Sequence, residues 1–166
     1  MSYNETSDIK ENVIILNLPA TSEYVSVARL SLSGIASRLN FTVEDIEDIK
    51  IAISEACTNA VQHAYENHVK TGRIEIKMTI DEDRLEVLVR DFGNGFNLGI
   101  LGTEEQKKRS EEKLGLGLGL TFIKNLIDEV EIQTIPNEGT SIRMSKLRPL
   151  NQPLTAVPLQ RNQAID

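Results

Sequence analysis

Cysteine is almost missing from this chain: Cys57 stands alone among 166 residues. A single thiol closes no internal disulfide, and without a Cys-x2-Cys pair there is no zinc-site spacing, which suits a reducing compartment. No apolar run reaches the ~18 residues that cross a bilayer, and Met1 to Asn12 lacks the basic segment and apolar core of an export signal. The chain is therefore expected to be cytoplasmic, neither exported nor membrane-bound. Basic charge is also in short supply, with 18 Lys and Arg against 25 Asp and Glu and a net charge of −7. That field opposes phosphate-backbone binding, so no direct nucleic-acid partner is expected. Internal repeats are absent, and the length suits one domain.

What is present is regular patterning. Val13 to Leu18 is a β-rich run stopped by Pro19, and Ser22 offers an N-cap for a helix to about Leu39. Thr42-Val43-Glu44-Asp45 has the form of a capping box, after which Ile46, Ile49, Ile53, Ala56 and Ala60 recur at helical spacing toward Tyr65. Ile74, Ile76, Met78 and Ile80 alternate with polar neighbours, Asp81-Glu82-Asp83 turns the chain, and Leu85, Val87 and Val89 alternate again. From Phe92 to Leu114 the periodicity dissolves into glycines and charge, a pattern expected of a mobile loop, before a helical rhythm resumes over Thr121 to Ile127. Val130 to Ile135 and Ile142 to Met144 flank Pro136-Asn137-Glu138-Gly139 as a closing hairpin. The expected fold is α+β: a two-layer sandwich whose mixed, mostly antiparallel sheet is covered on one face by three helices. Residues 1–12 are expected to be a flexible N-terminus, 13–146 the domain, and 147–166 a disordered tail rich in proline.

Three patches carry candidate chemistry. Glu55, Asn59 and His63 are one helical turn apart; taking Glu55 as zero, they fall near 0°, 40° and 80°, beside an apolar stripe from about 120° to 180°. A carboxylate and a carboxamide at a core edge need partners, and a ligand with a metal ion would serve. Local hydrogen bonding is the commoner explanation for any single pair of this kind, and His63 receives no chemical role. Cys57 is expected to be core filler. The second patch, Asp91-Phe92-Gly93-Asn94-Gly95, ends a strand-like run, where a carboxylate can receive an exocyclic amino group; an ordinary Asp turn is the competing explanation. Asp91-Phe92-Gly93 mimics a protein-kinase triplet, but no H-R-D-x-x-x-x-N run precedes it. The third patch, Gly115, Gly117 and Gly119, leads into a helix whose backbone N–H groups can face an anion; a hinge is the alternative. It follows no strand and lacks the Gly-Lys-Ser/Thr ending, so neither Rossmann nor Walker sites match.

Taken in order, the patches resemble the Bergerat-type ATP-binding fold shared by gyrase-like ATPases, Hsp90 chaperones, histidine kinases and mismatch-repair ATPases. Within that superfamily, Leu32 to Arg38, Ile46 to Lys50, Ser54-Glu55-Ala56-Cys57-Thr58-Asn59-Ala60-Val61-Gln62-His63-Ala64-Tyr65 and Asp128-Glu129-Val130 look like the anti-sigma-factor serine kinases of bacterial stress response. The resemblance runs from about Val13 to Met144. It implies a protein serine kinase that uses ATP and Mg2+, sequesters an alternative sigma factor, and phosphorylates a serine on an anti-anti-sigma antagonist. A homodimer is also expected. By the same resemblance Glu55 is the general base, Asn59 holds magnesium, and Asp91 accepts the adenine amino group. Gly93 and Gly95 frame the base, Thr140 supports the adenine contact, and Gly115, Gly117 and Gly119 cover the phosphates. Lys107, Lys108, Arg109 and Lys113 lie between the glycine patches, and none is assigned to the γ-phosphate. The alternative reading is a nucleotide-controlled sigma-binding module with little kinase activity.

Overall fold

Elements appear in the order and of the types that the periodicity gives. The computed structural model describes residues 12–65, 72–95 and 117–149. Strand β1 (Val13–Pro19) is followed by helices α1 (Ser22–Arg38) and α2 (Val43–His63), the hairpin β2 (Arg73–Ile80) and β3 (Arg84–Asp91), helix α3 (Gly117–Leu126), and the hairpin β4 (Glu129–Ile135) and β5 (Gly139–Leu147). The sheet has the order β1-β2-β3-β5-β4, and all four pairings are antiparallel. The expected two-layer α+β architecture is thus present, with three helices among the described residues.

Strand alternation sends Ile74, Ile76 and Met78 of β2, and Leu85, Val87 and Val89 of β3, to one buried face. Ile142 and Met144 of β5 extend that face. The helices supply the opposing layer: Ala28, Leu32 and Ala36 from α1, Ile49, Ile53, Ala56 and Ala60 from α2, and Leu120 and Ile123 from α3. Charged residues sit on the other side of the sheet, where Arg143 pairs with Glu86 at 3.3 Å and Glu131 at 3.7 Å. No described helix is long and apolar enough to cross a membrane.

The capping box at the start of α2 is complete. The Asp45 N–H donates to Thr42 Oγ1 at 3.0 Å, and the Thr42 N–H donates to Asp45 Oδ2 at 3.2 Å. Burial alone would raise the Asp45 carboxyl, but the Thr42 bonds and the Lys146 charge hold it below its ordinary value. Lys146 Nζ also donates to the Leu126 carbonyl at 2.8 Å, tying the end of α3 to the beginning of α2. Thr42→Ala should cost about 1 kcal/mol and lower Tm by about 3 °C. Because the Asp45 carboxylate is favoured in the folded state, this part of the stability is present above its unfolded value of 3.8 and is lost as pH falls through the lower folded one. Thermal melts of both proteins over an acid series would check this.

Two boundaries differ from the sequence reading. Helix α3 begins at Gly117, so Gly119 lies in its first turn and not in a preceding loop. Burial of Leu120, Ile123 and Ile127 along one stripe outweighs the ~1 kcal/mol that a glycine costs in a helix. Strand β5 runs through Leu147, and the next residue, Arg148, is buried and donates from Nη1 to the carbonyls of Asp81 and Glu82. The expectations for the N-terminal segment through residue 11, the loop over 96–114 with its four cations, Gly115, and the tail from 150 onward lie outside the described residues.

Candidate nucleotide site

Helix α2 forms one wall of the candidate site because its apolar stripe must face the sheet, which leaves the edge of that stripe at the layer's margin. Asn59 lies on this edge at 9% exposure, with Glu55 one turn earlier and half-buried. The Asn59 side-chain amide nitrogen is buried with no hydrogen-bond partner. An orphaned amide of this kind costs on the order of 1–3 kcal/mol, and a polar ligand would remove that cost. His63 is exposed, in keeping with its lack of an assigned role. Cys57 is buried, and burial pushes its thiol up to about 12, which suits the expected core filler.

Helix α3 approaches this edge at Gly119. A Cβ placed there would lie 2.8 Å from Glu55 Oε2, 3.6 Å from Asn59 Oδ1 and 3.7 Å from Asn59 Nδ2. The structure therefore brings the third patch against the first, and only a residue without a side chain leaves the Glu55 carboxylate where it is. Since that carboxylate is the far end of a flexible chain, Gly119→Ala should fold normally and displace Glu55. Assayed together, turnover should fall by about tenfold or more while Tm holds or rises slightly, alanine being the better helix former. Gly117 opens the same helix.

The second patch closes against the far end of α2. Period-two alternation carries Asp91 to the buried face with Val89, and it is 6% exposed. Its Oδ1 accepts the N–H of Gly93 at 3.0 Å and that of Thr140 at 3.1 Å. Burial raises the Asp91 carboxyl above its ordinary value, and the two amide donors and the Arg90 charge partly offset this. With Oδ1 committed to these two amides, Oδ2 is the oxygen available for a ligand. Thr140 thus touches Asp91 through its backbone, while its hydroxyl donates to Thr134 Oγ1 at 3.2 Å. Gly93 packs so closely on the Ala64 carbonyl that a Cβ would overlap it. Gly95 has φ of +55°.

Ala64 and Tyr65, just past α2, were given no role by the sequence, yet both hold the Asp91 turn. The Ala64 carbonyl accepts the Asn94 N–H at 2.9 Å, and the Tyr65 hydroxyl accepts the Phe92 N–H at 2.9 Å. Only their place at the end of the Ser54–Tyr65 run marked them beforehand. A groove of about 230 Å³ lies on the opposite side of the sheet, lined by Leu88, Arg90, Gln133 and Arg143 among others. It borders Thr140 but lies away from the Glu55–Asn59 edge.

Residues 18–146 match the family described as histidine kinase-like ATPase domain. The chain is similar to the serine-protein kinase RsbW of Bacillus subtilis strain 168, 44% identical over 137 residues that make up 80% of this chain and 84% of the relative. It is similar also to the serine-protein kinase RsbW of Bacillus pumilus, 41% identical over 157 residues, with 86% and 88% covered. Among solved structures, the RsbU and RsbW domains of Rv1364c from Mycobacterium tuberculosis share the fold at a TM-score of 0.57 and 22% identity, covering 82% of this chain and 32% of that one. The chain belongs to the histidine kinase-like ATPase family and, within it, to the serine-protein kinases named RsbW.

Proposed function

We propose that this RsbW-family chain binds ATP along α2, between the Asp91 turn and the start of α3, and transfers the γ-phosphoryl group to a serine of an anti-anti-sigma protein. In the unphosphorylated cycle that antagonist would release a stress-response sigma factor, which the chain otherwise sequesters as an anti-sigma-B type regulator. The observation that carries this reading is the meeting of Gly119 with Glu55 and the unpartnered Asn59 amide. It joins a candidate base and a polar anchor to the start of a helix whose N–H groups favour anions.

Asp91 Oδ2 would accept the adenine amino group, with Gly93 and Gly95 framing the base and Thr140 holding Asp91 Oδ1. Gly117 and Gly119, with Gly115 before them, would cover the phosphates by backbone. Asn59 fits a divalent-ion role through its carboxamide oxygen, and its buried amide nitrogen, which has no partner, is left to donate to an oxygen of the ligand. Mg2+ bound there with the phosphates would neutralise charge that builds on them. Glu55 would take the serine hydroxyl proton as the new O–P bond forms and the bond to the β-phosphate oxygen breaks. Residues 13–146 would be the working domain, in a cytoplasmic homodimer without membrane or nucleic-acid contacts.

The test is to present the full chain with ATP, then with ADP, to a lysate of its own cell, identify the proteins retained, and map any phosphoserine. Retention of a sigma factor and ATP-dependent serine phosphorylation of a second retained protein are expected. Sigma retention with no phosphoserine would leave a binding module and reject the kinase reading.

A further inference from the structure

The register of β2 on β3 ends at the pair Ile74↔Asp91, so the next pair along would be Arg73 with Phe92. That pair does not zip. The Tyr65 hydroxyl lies between the two strands: it donates to the Arg73 carbonyl at 2.6 Å and accepts the Arg73 N–H at 3.2 Å and the Phe92 N–H at 2.9 Å. A phenol has one proton to give and two lone pairs, and all three are used here on backbone groups.

Beyond this point each successive amide has its own partner. The Phe92 N–H goes to Tyr65, Gly93 to Asp91 Oδ1 and Asn94 to the Ala64 carbonyl. The Asn94 carbonyl then accepts the Asn137 N–H at 2.6 Å. The Phe92 ring, turned out of the ladder, has the Arg73 guanidinium 4.0 Å and the Arg90 guanidinium 4.8 Å from its centroid. The hydroxyl is therefore where β3 is peeled off β2, immediately after the carboxylate that the proposed site requires.

We infer that Tyr65 is a positioning residue for the nucleotide base, its hydroxyl ending the β2–β3 ladder so that the Asp91 turn is preset with Oδ2 free. This rests on the reading of Asp91 as the adenine acceptor and adds a residue that acts through it. Without the hydroxyl, Arg73 and Phe92 either pair directly or lose their partners, and in both cases the chain carrying Gly93 shifts. Gly93 is one of the two amides that orient the carboxylate.

The experiment uses the full chain as wild type, Tyr65→Phe and Asp91→Asn, and measures dissociation constants for ATP and for ITP, whose base has a carbonyl in place of the amino group. Tyr65→Phe should weaken ATP about tenfold and ITP less than twofold, raising KM for ATP while kcat at saturation stays within about twofold. A lower Tm with ATP affinity and ATP-over-ITP preference unchanged would overturn the inference, because a merely structural tyrosine predicts that result. If Asp91→Asn leaves the preference intact, the adenine site itself is misplaced; if Asp91→Asn abolishes it and Tyr65→Phe does not, only the Tyr65 inference falls. Amide exchange in nucleotide-free wild type gives a check independent of any variant: the Phe92 amide should be protected, and rapid exchange there would equally overturn the inference.

Discussion

Replacing Glu55 by glutamine should leave ATP binding within about twofold of wild type and lower the rate of serine phosphorylation by about 10²- to 10⁴-fold. The carboxamide has nearly the same shape and keeps an oxygen beside Gly119, so neither the close helix contact nor the half-buried setting changes. What disappears is the capacity to hold a proton. Phosphoryl transfer asks little covalent chemistry of a protein; positioning and charge neutralisation do most of the work, and a base contributes the remainder. Single-turnover transfer to the cognate partner, with ATP affinity measured by calorimetry, separates these contributions. If phosphorylation by Glu55→Gln proceeds at the wild-type rate, Glu55 is not the base, whatever the chain binds. Gly119→Ala gives the complementary case, since it keeps the carboxylate but moves it.

Local physics made much of this molecule legible. The Thr42–Asp45 box depends on four consecutive residues, and it is present with both reciprocal bonds. Period-two alternation over Leu85, Val87 and Val89 extends to Asp91, so its inward direction could be read two residues at a time. The 3.6-residue period placed Glu55 and Asn59 at the margin of the α2 stripe, where Asn59 is buried and Glu55 half-buried. Other features depend on partners distant in sequence. That β5 inserts between β3 and β4 follows from pairing across more than fifty residues, for which no short pattern exists. Glycine at 117 and 119 argued for loop, and only the burial of Leu120 and Ile123 against the core recruits those residues into α3. The Tyr65 hydroxyl was invisible for the same reason, because its partners at Arg73 and Phe92 are 8 and 27 residues away.

Asp91→Asn separates binding from folding at the other end of the site. Asparagine keeps an oxygen for the Gly93 and Thr140 amides but replaces the second carboxylate oxygen with an amide that donates. Opposite an adenine amino group two donors would then face each other, so ATP affinity should fall about 10- to 100-fold. Stability should move the other way. Burial raises the Asp91 carboxyl, so the folded chain holds that proton more tightly than the unfolded chain, whose ordinary value is 3.8. As pH climbs from there through the raised folded value, the unfolded state binds fewer protons than the native state, and stability drains from the wild type. Above that window the loss is complete and constant. The asparagine variant has no such group, so its Tm relative to wild type should rise across the window and stay level to neutral pH. Melts over that pH series, beside ATP titrations at neutral pH, would show a protein that is as stable as wild type or more so, yet poor at holding nucleotide. A variant that lost stability and affinity together at neutral pH would instead mean that the carboxylate supports the fold, and that its buried charge is already compensated by Gly93, Thr140 and Arg90.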